Sequence, residues 1–108
     1  MMYEYQMTIG LFDKDTEQQE LTREYAENFI SELLINKLDI FAFTMINCSG
    51  VYKMSSTGAI VREPSIRLEI ASDSEIDNII NKAIKEIKEG LNQESVMLKK
   101  STENITFE

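Results

Sequence analysis

Residues 65–90 read SIRLEIASDSEIDNIINKAIKEIKEG, and the apolar period changes within them. Ile66, Leu68 and Ile70 alternate with Ser65, Arg67 and Glu69, a spacing of two that predicts a strand with one buried face. From Ile76 the spacing becomes helical. Ile76, Ile79, Ile80, Ala83, Ile84 and Ile87 form one stripe, while Lys82, Lys85, Glu86, Lys88 and Glu89 lie mostly off it. Ser72 and Glu75 have the spacing of a capping box at the helix start. Gly90 stands where a left-handed residue would end the helix.

Upstream, the polar turn Ser55-Ser56-Thr57-Gly58 reverses the chain into this strand and predicts a long hairpin. Its first arm begins in Ile40–Cys48, IFAFTMINC, which is apolar at both odd and even positions and therefore calls for cover on both faces. Cys48 reads as a small core residue. Gly50 suggests a bulge, and Pro64, which has no amide to donate, belongs at a bulge or beyond the central sheet. At the N-terminal side, Tyr3, Tyr5, Met7, Ile9 and Leu11 alternate with Glu4, Gln6 and Thr8 over residues 3–12, predicting another strand. Thr22 is a suitable N-cap for a helix whose stripe is Tyr25, Ala26, Phe29, Ile30, Leu33 and Leu34, ending near Asn36. Beyond Gly90, Asn92 and Gln93 turn the chain into a strand over Glu94–Lys99, and residues 101–108 form a polar tail or a short edge strand.

The order β-α-β-β-α-β predicts an α+β, ferredoxin-like split β-α-β fold: a four-stranded antiparallel sheet with both helices on one face. Residues 1–100 are expected to form a single domain, the size of one hydrophobic core. The other face is then bare. Burying about three of the side chains from Ile40–Cys48 there would contribute on the order of 5 kcal/mol before entropic costs, so a homo-oligomer, dimer or trimer, is expected. Folding of the C-terminal tail over that face is the alternative.

Composition narrows the chemistry. The chain has 108 residues, no histidine, one cysteine and a formal charge of −8. Without histidine it lacks the side chain best suited to proton transfer near neutral pH. The lone Cys48 excludes an intramolecular disulfide and a cysteine-based zinc site within one chain. The negative charge opposes direct nucleic-acid binding and suits either simple solubility or a basic protein partner, including docking as a nucleic-acid mimic. No apolar run approaches the roughly 18 residues of a membrane span, and the first ten residues show no secretory signal. Cytoplasmic location is expected.

Three groups of residues could carry chemistry. Tyr52 and Lys53 precede the hairpin turn while Arg62 and Glu63 follow it, close enough for cross-strand pairing; Lys53 and Arg62 could grip a phosphate or carboxylate. The same charges would also protect a hairpin edge from aggregation. Asn92, Gln93, Glu94 and Ser95, immediately after the second helix, could offer amide and hydroxyl contacts, although turn chemistry alone accounts for Asn92 and Ser95. Asp13 and Asp15 have a D-x-D spacing that could place oxygens on magnesium or calcium, but the stretch lacks the glycine and terminal glutamate of an EF-hand loop. No phosphate-binding loop, dinucleotide motif or metalloprotease motif occurs.

The run from FTMINCSGVYK through GAIVREPSIRLEIASDSEIDNIINKAIKEIKEGLN resembles, in its layout, the PII-type signalling proteins. The likeness spans about residues 3–100. It implies an oligomeric, trimeric ferredoxin-like scaffold with functional surfaces at the hairpin and at the loop after the second helix. Two features depart from that family: the protruding loop is reduced to Met54–Gly58, and Leu91-Asn92-Gln93-Glu94 replaces its glycine-rich loop. Nucleotide binding is therefore not carried over. The chain also resembles small proteins of bacteria and their mobile elements, a likeness that implies no activity. Together these features predict a non-catalytic binding or regulatory module with an undefined ligand or cofactor. An acidic protein-binding inhibitor or adaptor, and a carboxylate- and metal-dependent enzyme, are the alternatives.

Overall fold

A computed structural model describes residues 1–108. The elements are β1 (Met2–Gly10), α1 (Arg23–Glu32, continued by a π turn over Leu33–Lys37), β2 (Thr44–Lys53), β3 (Ile60–Ser72), α2 (Asp77–Gly90) and β4 (Met97–Glu103). The sheet order is β2-β3-β1-β4 with every neighbouring pair antiparallel, the ferredoxin-like arrangement expected from the element order. Strands β1 and β3 take the centre because they carry the most apolar alternating faces. Tyr5 lies opposite Ile70, Met7 opposite Leu68 and Ile9 opposite Ile66, and all six are buried. Ala26, Ile30, Leu33 and Leu34 of the first helical segment and Ile80, Ala83 and Ile87 of α2 complete one core with them. Burying each such large aliphatic side chain contributes roughly 1.5–3 kcal/mol. Because strand side chains alternate, a slip of one residue would turn the whole set toward water. The same alternation leaves Glu4, Gln6, Thr8, Arg67 and Glu69 on the face without helices.

Several local expectations are corrected. The first arm of the hairpin starts at Thr44, not Ile40. Ile40 instead donates its amide to the Leu34 carbonyl (2.8 Å) and drops into the core, while Phe41 and Ala42 lie exposed in the connection. Within the strand, Met45 faces the helices and Ile46, opposite Arg67, faces away. Cys48 is half-buried on the helix-free face rather than a core residue. Gly50 forms no bulge, since pairing runs unbroken from Thr44 opposite Glu69 to Lys53 opposite Ile60. Pro64 sits one residue past the last β1–β3 pair, and its carbonyl accepts from Leu11 N (2.9 Å). Its nitrogen therefore points past the end of β1 and breaks no ladder. Residues 101–103 belong to the edge strand β4.

Both ends of α2 also differ from the expected caps. Ser72 is still in β3, Ile76 holds the N-cap position, and no side chain of the helix's own segment caps it. The Tyr5 hydroxyl, reaching up from β1, does that work: it accepts from Ile76 N (2.9 Å) and donates to Asp77 Oδ1 (2.7 Å). At the other end Gly90 is the last helical residue and the left-handed residue is Asn92 (φ 50°). Gly90 is required for closeness, because a Cβ there would overlap the Phe29 ring of α1.

Lys100 of β4 completes the Tyr5 cluster. Its Nζ lies 2.7 Å from Glu75 Oε2 and 3.0 Å from Asp77 Oδ1, above the rings of Tyr3 and Tyr5. Burial and the Asp77 contact push the Tyr5 hydroxyl above its usual value, whereas the Tyr5 and Lys100 hydrogen bonds hold the Asp77 carboxyl below 3.8. Tyr5→Phe leaves the Ile76 amide without its acceptor, and denaturant unfolding at neutral pH should show a loss of about 1–3 kcal/mol. Since Asp77 is depressed in the folded state, its stabilisation is present above pH 3.8 and disappears as pH falls through the folded value. The acid-induced part of the stability loss should accordingly be smaller in Tyr5→Phe than in the parent protein.

Candidate functional site

Strand β1 stops at Gly10 while the β2–β3 ribbon continues beyond it. On the helix-free face this step leaves a cleft of about 480 Å³, walled by the ribbon, the loop after β1 and the loop after α2. Tyr52 and Glu63 reach it from the ribbon, Asp13, Lys14 and Glu17 from the first loop, and Gln93, Glu94 and Ser95 from the second. Thr8 and Gly10 form part of the floor, with Phe12 and Met97 adding apolar surface.

Each wall has a local cause. Tyr52 pairs with Val61 and Gly50 with Glu63, so Tyr52 and Glu63 are diagonal neighbours on one face of the ribbon. A side chain at Gly10 would overlap the Glu63 carboxylate; the glycine admits that carboxylate, whose Oε2 accepts from Phe12 N (2.8 Å). The two loops are tied together. Gln93, only 7% exposed, donates Nε2 to the carbonyls of Phe12 (2.8 Å) and Leu91 (3.3 Å). Asn92 donates Nδ2 to Asp13 Oδ2 (2.8 Å) and to Asp15 Oδ2 (2.9 Å), and its carbonyl accepts from Lys14 N (3.0 Å).

The residues singled out from the sequence thus separate. Tyr52, Glu63, Gln93 and Ser95 meet at the cleft. Lys53 and Arg62 do not line it: they lie on the ribbon's opposite face, where Lys53 pairs with Ile60 and Arg62 with Val51. The two cations expected to grip an anion thus stay together as diagonal neighbours, on the face turned away from Tyr52 and Glu63. Asn92 stands behind the cleft as a clamp. Asp13 and Asp15 do converge, but on an amide N–H donor placed between them, and Asp13 Oδ1 is taken by the backbone amides of Asp15 (2.8 Å) and Thr16 (3.1 Å). No group of three or more potential metal-ligating side chains converges anywhere. Sequence reading missed Lys14 and Gly10, whose roles come from where β1 ends relative to the ribbon. No helix is long and apolar enough to cross a membrane.

The cleft is electrostatically one-sided. Asp13, Glu17, Glu63 and Glu94 line it against Lys14 as the only cation. Such a balance disfavours polyphosphate and favours a neutral or cationic guest.

Solved structures share this fold. A phage SAM lyase in complex with S-methyl-5'-thioadenosine superposes with a TM-score of 0.63 at 17% identity, over 93% of this chain and 80% of that one. B. subtilis GlnK with ATP gives 0.58 at 11%, over 93% and 81%, and CutA1 from Ehrlichia chaffeensis gives 0.59 at 15%, over 98% and 84%. The chain therefore has the fold of PII-type GlnK and of CutA, as its layout suggested. No protein-family model and no curated protein matches the sequence.

The Asn92 hydrogen bond is the first cause holding the Asp13 carboxyl below 3.8. Asn92→Gly tolerates the left-handed backbone and deletes the amide, so carbon-detected NMR titration should show Asp13 moving up toward 3.8. Asp13's stabilising contribution, present above that value and lost as pH falls through the folded pKa, should shrink with it.

Proposed function

We propose that this protein is a small-molecule binding module whose cleft takes a cationic adenosyl sulfonium, S-adenosylmethionine, rather than a nucleoside triphosphate. The observation that carries this reading is the four-to-one excess of carboxylates over ammonium groups around a cleft that also offers the Tyr52 ring and the Phe12 and Met97 side chains. A sulfonium nucleoside combines a positive centre with a flat base, and both halves find partners here: carboxylates for charge and aromatic surface for stacking. Two fold neighbours hold adenosine-type compounds, one of them S-methyl-5'-thioadenosine on a SAM lyase and the other ATP on GlnK. The charge of this cleft favours the first kind.

Cleavage is the second reading, favoured by the chemistry such a substrate needs. Breaking its Cγ–S bond leaves the electron pair on sulfur and releases neutral S-methyl-5'-thioadenosine, while the substrate's own carboxylate oxygen closes on Cγ to give a lactone that keeps the α-ammonium and its positive charge. Atoms and charge balance without an external base, a metal or a cofactor, which suits a chain with no histidine. In this reading Tyr52 and Glu63 hold the sulfonium between them.

Isothermal titration should show S-adenosylmethionine binding and ATP at least tenfold weaker. Glu63→Gln should weaken the sulfonium more than neutral S-methyl-5'-thioadenosine. Preference for ATP, or no heat with S-adenosylmethionine, would overturn the proposal, and chromatography of the same mixtures for released S-methyl-5'-thioadenosine decides between binding and cleavage.

We also propose that the working form is a homo-oligomer associated through the helix-free face. Ile46, Cys48, Tyr52, Val61 and Met97 put apolar surface there, and among buried side-chain nitrogens and oxygens on the chain only Arg67 Nε lacks a hydrogen-bond partner. Light scattering on a sizing column should return a multiple of the chain mass; a single-chain mass would overturn self-association.

A further inference from the structure

We infer that Gln93 is a specificity-determining residue, its Oε1 reading an N–H donor on the ligand. This rests on the proposed binding of an amino-bearing nucleoside in the same cleft. A glutamine amide has two donor hydrogens and one acceptor oxygen. In Gln93 the donor side is committed, to the Phe12 carbonyl at 2.8 Å and the Leu91 carbonyl at 3.3 Å, which fixes the orientation of the amide. The acceptor side receives nothing from the chain, yet Oε1 is not among the sealed, unpartnered atoms, so it keeps solvent access at the surface Gln93 shares with the cleft and with the polar hollow lined by Lys14, Asn92 and Glu94.

A side chain 7% exposed, held at one end and open at the other, is a preorganised acceptor. Little rotamer freedom remains to be lost on binding. Nearby groups reinforce the choice of a donor as its partner. Glu94 and Asp13, which line the same cleft, repel ligand acceptors, and the amide cannot turn to offer its Nε2 without giving up two backbone carbonyls. A carbonyl or phosphate oxygen placed against Oε1 would leave two acceptors facing one another in a partly desolvated site, a costly arrangement.

The donor could come from the 6-amino group of the base or from the α-ammonium of the aminoacyl arm. The two sources are distinguished on the ligand. Titrations of wild-type protein would compare S-adenosylmethionine with its 6-oxo (inosyl) analogue and with its analogue lacking the α-amino group, so that one outcome set needs no altered protein. The analogue missing the relevant amine should bind about tenfold more weakly. Gln93→Met, of similar length but without the acceptor, should bind the parent compound and that analogue equally; a thermal melt and a circular dichroism spectrum establish that the variant is folded. If Gln93→Met does not fold, the two analogues on wild-type protein still decide. Equal affinity of wild-type protein for S-adenosylmethionine and both analogues would overturn the Gln93 assignment while leaving the binding proposal intact. No binding by S-adenosylmethionine would overturn both.

Discussion

The early end of β1 relative to its neighbours is the constraint on which the rest of the molecule depends. Its Tyr5, Met7 and Ile9 are pinned beneath the helices by pairs on β3, so the register cannot shift to lengthen it. Leu11 gives its amide to Pro64, the one β3 residue with no amide to return. The ladder ends there for a chemical reason, and the chain must leave the sheet. The ribbon continues alone, and the space beside it becomes the cleft. Gly10, at the step, is what lets the Glu63 carboxylate fold over the strand end and receive Phe12 N.

The same strand organises the opposite end of the fold. Tyr5 spends its hydroxyl on the start of α2, and Lys100 crosses from the edge strand to the same carboxylate. Lys100, Glu75 and Asp77 are partly exposed, so solvent and salt screen the ion pairs. The buried tyrosine hydroxyl is therefore the more consequential member of that cluster. Sheet and helix are joined at one end of the molecule by Tyr5 and at the other by Gln93, whose amide links the end of α2 to the residue leaving β1.

Alternation and helical periodicity made the fold legible: the Ile66-Leu68-Ile70 and Ile76–Ile87 patterns place β3 and α2, and Thr22 does cap α1 by accepting from Tyr25 N (3.0 Å). What failed was each inference that treated a residue in isolation from its partner. Ile40–Phe43 looked like strand because its residues are apolar, but Ile40 caps the π turn by bonding Leu34 O, which carries the chain away from the sheet until Thr44. Ser72 and Glu75 had capping spacing, yet an amide acceptor 71 residues away in sequence took the role. No local pattern announces a tyrosine doing the work of a serine.

The candidate site was half visible for the same reason. Tyr52, Lys53, Arg62 and Glu63 are brought near one another by the hairpin turn, but only the register, with Gly50 opposite Glu63, shows that Tyr52 shares its face with Glu63 and Lys53 with Arg62. The pairing sends the cations to one side of the ribbon and the tyrosine and glutamate to the other. The ribbon therefore presents a carboxylate and a ring to the cleft, where Lys14 opposes four acidic groups. The two faces of this ribbon thus carry opposite charge within an unchanged PII-like topology.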